Sequence, residues 1–114
     1  MSKYGNRKVT LTAFDGQILK FDSQREANRY KDLEMMLQAG EIVEIETQPK
    51  FVLLDSYPRE GKKIREIAYF ADFKITWNDG RITYEDAKGV KTEVYKIKKK
   101  MLLFRYPDII FYEV

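Results

Sequence analysis

Asp72 and the run Asp86-Ala87-Lys88 are the residues whose types and spacing best suit chemistry. Asp72 interrupts an apolar run, Ile67-Ala68-Tyr69-Phe70-Ala71-Asp72-Phe73. The second group follows a short turn, in Ile82-Thr83-Tyr84-Glu85-Asp86-Ala87-Lys88-Gly89. A carboxylate inside an apolar strand is costly unless it is paired, hydrogen-bonded or bound to a metal. Two carboxylates and a lysine converging on one spot are what metal-assisted phosphodiester hydrolysis needs. The competing reading of the same residues is a buried salt bridge with Lys88 as the counter-ion.

Composition narrows the options further. The chain has no cysteine and no histidine, which excludes a typical zinc site, a thiol nucleophile, a Ser-His-Asp triad and a histidine general base. Hydrolysis would have to run on carboxylates, lysine, tyrosine and a hard cation. Oxygen ligands favour Mg2+, with Mn2+ as a substitute.

The elements that must position these residues follow from local pattern. Residues 1–8 are polar and basic and read as a mobile arm. Residues 9–21 alternate around Asp15-Gly16 and read as a small hairpin. Ser23-Gln24-Arg25-Glu26 is a capping box that opens a helix with Tyr30, Leu33 and Leu37 on its apolar stripe, and Gly40 stops it near Ala39. Glu26 lies on that stripe, one turn before Tyr30. As a capping-box residue it needs no further role, yet it stands where it could also hold a metal-bound water.

Residues 42–54 predict a strand interrupted at Gln48-Pro49, and Gln48 could reach the site from there. Residues 57–63 read as a turn, 64–77 as one long strand, 78–80 as a hairpin loop and 81–88 as its partner strand. A second helix begins at Lys91 or Thr92 and ends near Tyr106 before Pro107. Its predicted apolar stripe is Val94, Ile97, Met101 and Phe104. A last strand, 109–114, returns to the sheet. The order is helix, three strands, helix, strand, behind a small hairpin: an α/β (α+β) fold with a central mixed sheet flanked by helices. At 114 residues the chain is one domain.

Side chains alternate along a strand, so Asp86 and Lys88 share a face. If Asn78, Asp79 and Gly80 form a three-residue loop, Trp77 opposes Arg81 and Asp72 opposes Asp86. Facing β-carbons lie about 4.5–5.5 Å apart, a gap one divalent ion bridges. A two-residue loop would set Asp72 against Ala87 and turn Asp86 to the wrong face.

Charge is placed unevenly. The net charge is +3, while residues 88–105 carry seven basic side chains (Lys88, Lys91, Lys96, Lys98, Lys99, Lys100 and Arg105) against one acid, Glu93. Lys3, Arg7 and Lys8 form a smaller cluster at the start. Such density fits a polyanion partner, or equally a solvated helix face. No run is long enough to span a membrane and none resembles a signal peptide, so the default expectation is a cytoplasmic protein.

Asp72 and Asp86-Ala87-Lys88 on adjacent strands, after a helix bearing Glu26, resemble the PD-(D/E)XK nuclease superfamily with its restriction-endonuclease-like αβββαβ core. More closely, the chain resembles a small phage and prophage family catalogued as a domain of unknown function. Six segments in order carry the likeness: Lys3-Tyr4-Gly5-Asn6-Arg7-Lys8, Phe21-Asp22-Ser23-Gln24-Arg25-Glu26-Ala27, Gln48-Pro49-Lys50-Phe51, Tyr69-Phe70-Ala71-Asp72-Phe73, Glu85-Asp86-Ala87-Lys88-Gly89, and Tyr95-Lys96 with Tyr106-Pro107-Asp108-Ile109. Ala71 stands where the motif has proline, and Asp86 where glutamate is commoner.

The resemblance implies a Mg2+-dependent endodeoxyribonuclease leaving 5′-phosphate products. Asp72, Asp86, the Ala87 carbonyl and Glu26, directly or through water, would hold the metal, and Lys88 would orient the attacking water. Lys3, Arg7, Lys8, Lys91, Lys96, Lys98, Lys99 and Lys100 would contact DNA. Family and size imply selectivity for branched DNA such as a Holliday junction, a homodimer, and a role in phage recombination within a bacterial host. The alternative is a non-catalytic DNA-binding or assembly module on a nuclease fold.

Overall fold

The computed structural model describes residues 8–114, which form two helices and ten strands. The small hairpin is present as β1 (Val9–Thr12) and β2 (Ile18–Phe21), followed by α1 (Gln24–Gln38). Ser23 caps α1 by accepting the Glu26 amide at 3.1 Å, and Gly40 takes a left-handed φ of 80° just past its end, as a helix stop requires. Ala27, Tyr30 and Leu33 turn inward and meet Phe21, Ile42, Phe73 and Ile75 in one core.

The central sheet has the order β10-β9-β8-β3, built from β3 (Ile42–Thr47), β8 (Phe73–Trp77), β9 (Ile82–Asp86) and β10 (Ile110–Glu113). β10 runs parallel to β9 and the other neighbours are antiparallel, so the sheet is mixed. The return of β10 beside β9 through α2 (Glu93–Arg105) is the crossover that a parallel pair requires.

The strand expected over residues 64–77 is two strands in two sheets. β7 (Ile67–Phe70) pairs with β4 (Lys50–Leu54), whereas β8 pairs with β3 and β9. Both arms of this long hairpin break at the same level. Gln48 adopts a φ of 55°, its amide donates to the Asp72 carbonyl at 3.0 Å, and the Ala71 amide donates to the Pro49 carbonyl at 3.1 Å. Proline at 49 removes a donor and forces a bend. The two hydrogen bonds carry the chain across that bend without leaving the backbone unpaired. Residues 57–63, expected as a turn, extend the same hairpin outward as β5 (Tyr57–Arg59) and β6 (Lys62–Ile64).

The second helix corrects another expectation. Thr92 caps it through the Tyr95 amide at 3.1 Å, but Val94, Ile97 and Phe104 are 63%, 57% and 88% exposed. Tyr95 and Leu102 are the buried residues, packed with Phe51, Leu53, Tyr69 and Ala71 in a second core. Two stripes at helical spacing compete in this segment, and spacing alone does not decide between them. Lys98 lies between Tyr95 and Leu102 on the buried side and is accommodated there by sending its ammonium out to the Ala68 carbonyl at 3.1 Å, as long amphipathic side chains do.

Candidate metal centre and its basic surround

The site forms where the central sheet ends. Phe73 pairs with Glu85, Ile75 with Thr83 and Thr76 with Ile82. The Trp77 amide donates to the Arg81 carbonyl at 2.9 Å across the loop of residues 78–80. This is the register that a three-residue loop demands. One residue past the last ladder pair, the two aspartates lock each other's backbone. The Asp72 amide donates to Asp86 Oδ1 at 2.9 Å, and the Ala87 amide donates to Asp72 Oδ2 at 2.7 Å. Each carboxylate thus spends one oxygen on the opposite strand and keeps one for something else. Asp86 is fully buried, and its second oxygen, Oδ2, has no hydrogen-bond partner among the described residues. A buried acceptor left unpaired costs about 1–3 kcal/mol, more when charged.

Electrostatics follow from that burial. Desolvation raises the Asp86 pKa to about 6, against the partial relief of the nearby Lys88 charge and the Asp72 amide. Asp72 is raised by burial as well, eased by the Ala87 amide and Lys88. Glu26, in the first turn of α1, is pushed up to about 7 by burial first and by the Asp72 charge second. Its carboxylate is turned to Gln48, whose Nε2 lies 3.4 Å from Oε1. Gln48 therefore joins the group through both its side chain and its backbone bond to Asp72. Burial thus holds all three acids partly protonated, the condition that a nearby cation would relieve.

Lys88 makes no ion pair within 4.0 Å among the described residues; its ammonium lies 4.9 Å from the centre of the Tyr95 ring. The salt-bridge reading of Asp72, Asp86 and Lys88 therefore lacks its contact.

The expected residues Glu26, Asp72, Asp86, Ala87, Lys88 and Gln48 come together. Among the described residues, however, no three acidic side chains converge closely enough to hold a metal by themselves. The Ala87 carbonyl and water would have to complete a ligand set. Asp72, Asp86 and that carbonyl are hard oxygen donors of the kind Mg2+ and Mn2+ take.

Sequence reasoning missed Glu113. It lies opposite Asp86 in the parallel β9–β10 register and accepts the Tyr95 hydroxyl at 2.6 Å. Lys91 and Lys99 reach its other oxygen at 3.2 and 3.1 Å. The Tyr95 hydroxyl bond, then Lys99 and Lys91, hold Glu113 down to about 2. Burial and that same bond raise Tyr95 well above the ordinary phenol range. An acid in the last strand was visible in the sequence, but only the parallel register shows what it faces.

The basic helix is less free than its composition implies. Lys91 and Lys99 are tied to Glu113, Lys96 to Glu93 at 3.3 Å, and Lys98 to a backbone carbonyl. Lys100 is exposed. A cleft of about 380 Å³ beside the helix is lined by Lys91, Tyr95, Lys96, Lys99, Lys100 and Glu113, among others. Lys8 sits 4.0 Å from Asp22, both largely exposed, while Lys3 and Arg7 lie outside the described residues.

The fold is thus a mixed α+β sheet with its candidate site at the end of two antiparallel strands. The chain belongs to the family described as "Protein of unknown function (DUF1064)", which it matches over residues 1–112. No curated protein and no solved structure matches it. No helix among the described residues is long and apolar enough to cross a membrane.

Proposed function

We propose that this chain is a metal-dependent endodeoxyribonuclease of the PD-(D/E)XK type, acting with Mg2+ or Mn2+ on phosphodiester bonds of branched DNA. The observation that carries the reading is the aspartate pair. Asp72 and Asp86 are buried, locked to each other's strands, raised in pKa and left with a buried oxygen that nothing in the fold satisfies. Natural cores rarely leave such a group unpaired without a functional reason.

Asp72, Asp86 and the Ala87 carbonyl would hold the cation, with Glu26 and Gln48 behind them. Bound there, the metal supplies Lewis acidity and offsets phosphate charge. Lys88, free of any carboxylate contact, orients the attacking water and stabilises negative charge that develops on the phosphate. The ring of Tyr95 beneath its ammonium fixes where that charge sits. Glu113 fixes Tyr95 in turn. Lys100 and the lysines lining the cleft contact backbone phosphates, which gives strong salt dependence and little base preference.

Selectivity for four-way junctions and a homodimer with two-fold related sites complete the proposal, together with a role in phage DNA processing in the bacterial cytoplasm. One observation favours the non-catalytic alternative, a DNA-binding module: among the described residues, no three acids close on a common point.

Incubation with a synthetic four-way junction and with supercoiled plasmid, with and without Mg2+, separates the two. Symmetric junction nicks that need Mg2+ and vanish in Asp86→Ala are the expected result. Tight binding with no cleavage in Mg2+ or Mn2+ sinks the catalytic reading. Random nicking of linear duplex leaves the nuclease and removes the junction selectivity. Sedimentation of the purified chain reads the dimer.

A further inference from the structure

The outer hairpin β5–β6 has no structural explanation within the fold. Its residues are all exposed, and it is paired only with itself. It ends in a two-residue loop, Glu60-Gly61, with φ of 50° and 75°. Positive φ at both central positions is the tight hairpin turn whose twist matches the strands, so the ribbon keeps a defined shape while its side chains stay exposed.

Its charges are equally unexplained. Residues 57–65 hold Arg59, Lys62, Lys63 and Arg65 against one acid, Glu60. Arg59 faces Lys62 directly across the ribbon, and like charges in that position are destabilising. The acids at the ribbon's base are engaged elsewhere: Glu66 with Lys50 at 3.0 Å and Asp55 with Arg105 at 3.0 Å. None of Arg59, Lys62, Lys63 and Arg65 has an ion pair among the described residues. An unpacked ribbon that concentrates uncompensated positive charge at its tip is suited to a polyanion.

We propose that the β5–β6 ribbon is a second, remote contact to duplex DNA, with Arg59, Lys62 and Lys63 gripping backbone phosphates away from the aspartate pair. The proposal takes its ligand from the nuclease reading. A two-stranded ribbon is one of the two shapes the major groove admits. Lys62 and Asp72 are ten residues apart along β6 and β7, so their separation is at most about 33 Å at the rise of an extended strand. One turn of duplex is about 34 Å. The phosphates gripped by the ribbon therefore lie within about one turn of the bond at the site, on a molecule whose longest dimension is 53 Å.

The test is equilibrium binding in EDTA, where no metal-dependent cleavage intervenes. The full chain is compared with the triple variant Arg59→Ser/Lys62→Ser/Lys63→Ser on duplexes of about 20 bp and about 8 bp, the shorter being less than one turn. On the long duplex the variant is expected to bind at least about 10-fold more weakly, with a salt slope smaller by about 2.7, from three phosphate contacts. On the short duplex the two proteins should bind alike. The melting temperature should hold or rise, since the Arg59–Lys62 repulsion is gone.

Unchanged affinity and slope on the long duplex, or an equal loss on the short duplex or on single-stranded DNA, overturns the proposal. Cleavage assays fail independently. A chain that never cuts but loses long-duplex affinity with the ribbon keeps this inference and drops the nuclease. A chain that cuts but binds without regard to the ribbon does the reverse.

Discussion

Two neighbouring acids on β9, Glu85 and Asp86, are both buried and are treated in opposite ways. Glu85 is met by Arg29 of α1 in a two-pronged contact, Nε to Oε1 at 2.7 Å and Nη2 to Oε2 at 2.8 Å, the strong geometry for a guanidinium and a carboxylate. Asp86, one residue on and facing the other way, receives one backbone amide and, among the described residues, no cation in contact. The fold brings an arginine to a buried acid where only stability is at stake and withholds one where the acid sits at the strand end beside Asp72. The difference teaches that the strain at Asp86 is local: helix α1 compensates Glu85 on one face of the strand while its own Glu26 adds charge to the site.

The largest expected effect breaks the Asp86 side of this contrast. Asp86→Asn should lower junction cleavage at least about 1,000-fold, about 4 kcal/mol in the barrier, while the metal-free protein at about pH 8 melts no lower than the parent. A marked loss of stability on that substitution would make Asp86 a structural residue like Glu85. The next effect breaks the other side. Arg29→Ala leaves Glu85 buried and uncompensated and should cost about 3 kcal/mol in urea unfolding, whereas the apolar pair Arg29→Met/Glu85→Met should recover most of it. Cleavage rate per folded molecule should stay within about two-fold for the paired variant.

A third measurement sharpens the contrast through pH. The folded chain holds protons on Glu26 up to about 7 and on Asp86 up to about 6, above the ordinary values of 4.5 and 3.8. Between those limits the folded state binds more protons than the unfolded one, so stability falls as pH rises through about 4 to 7. Glu113 works in the opposite sense, its contribution being lost as pH falls from about 4.5 toward about 2, so it is constant above about pH 5. Thermal unfolding in EDTA should therefore show a loss of about 4 kcal/mol between about pH 5 and 8, and saturating Mg2+ should abolish it. The smallest effect concerns the support of Lys88. Tyr95→Phe removes the bond to Glu113 and should cost about 1 kcal/mol in stability, read by chemical unfolding, with a modest fall in cleavage.

The aspartate pair was legible in the sequence because it depends only on short-range rules: strand alternation and the length of one loop. The same rules placed α1, its serine cap and the order of elements around the sheet. What lay beyond them were contacts set by distant chain. Arg29 and Glu85 are 56 positions apart, and neither residue advertises the other. Of the stripe Val94, Ile97, Met101 and Phe104 only Met101 packs on the second core, because the apolar neighbours lie on the side of Tyr95 and Leu102. The break of the long strand at Ala71-Asp72 is dictated from the partner arm by Pro49 and by the positive φ of Gln48, which no local pattern around Asp72 reveals. Glu113 needed the parallel register of a strand brought back through a helix.

That break has a consequence for how the chain can change. A strand that ran unbroken from the outer turn to Trp77 would carry one register throughout, and a single added residue would reverse the face of every side chain beyond it. Here the upper arms are registered by β3, β8 and β9, the lower arms by β4 and β7, and Gln48-Pro49 opposite Ala71-Asp72 separates the two. The lower part is free to gain or lose residues in pairs, or to take a bulge like the one already present at Val52, while Asp72 keeps its place beside Asp86. Length variation in this lineage should accordingly gather below the bend, and the regular β8–β9 arms that set Asp72 beside Asp86 should tolerate none.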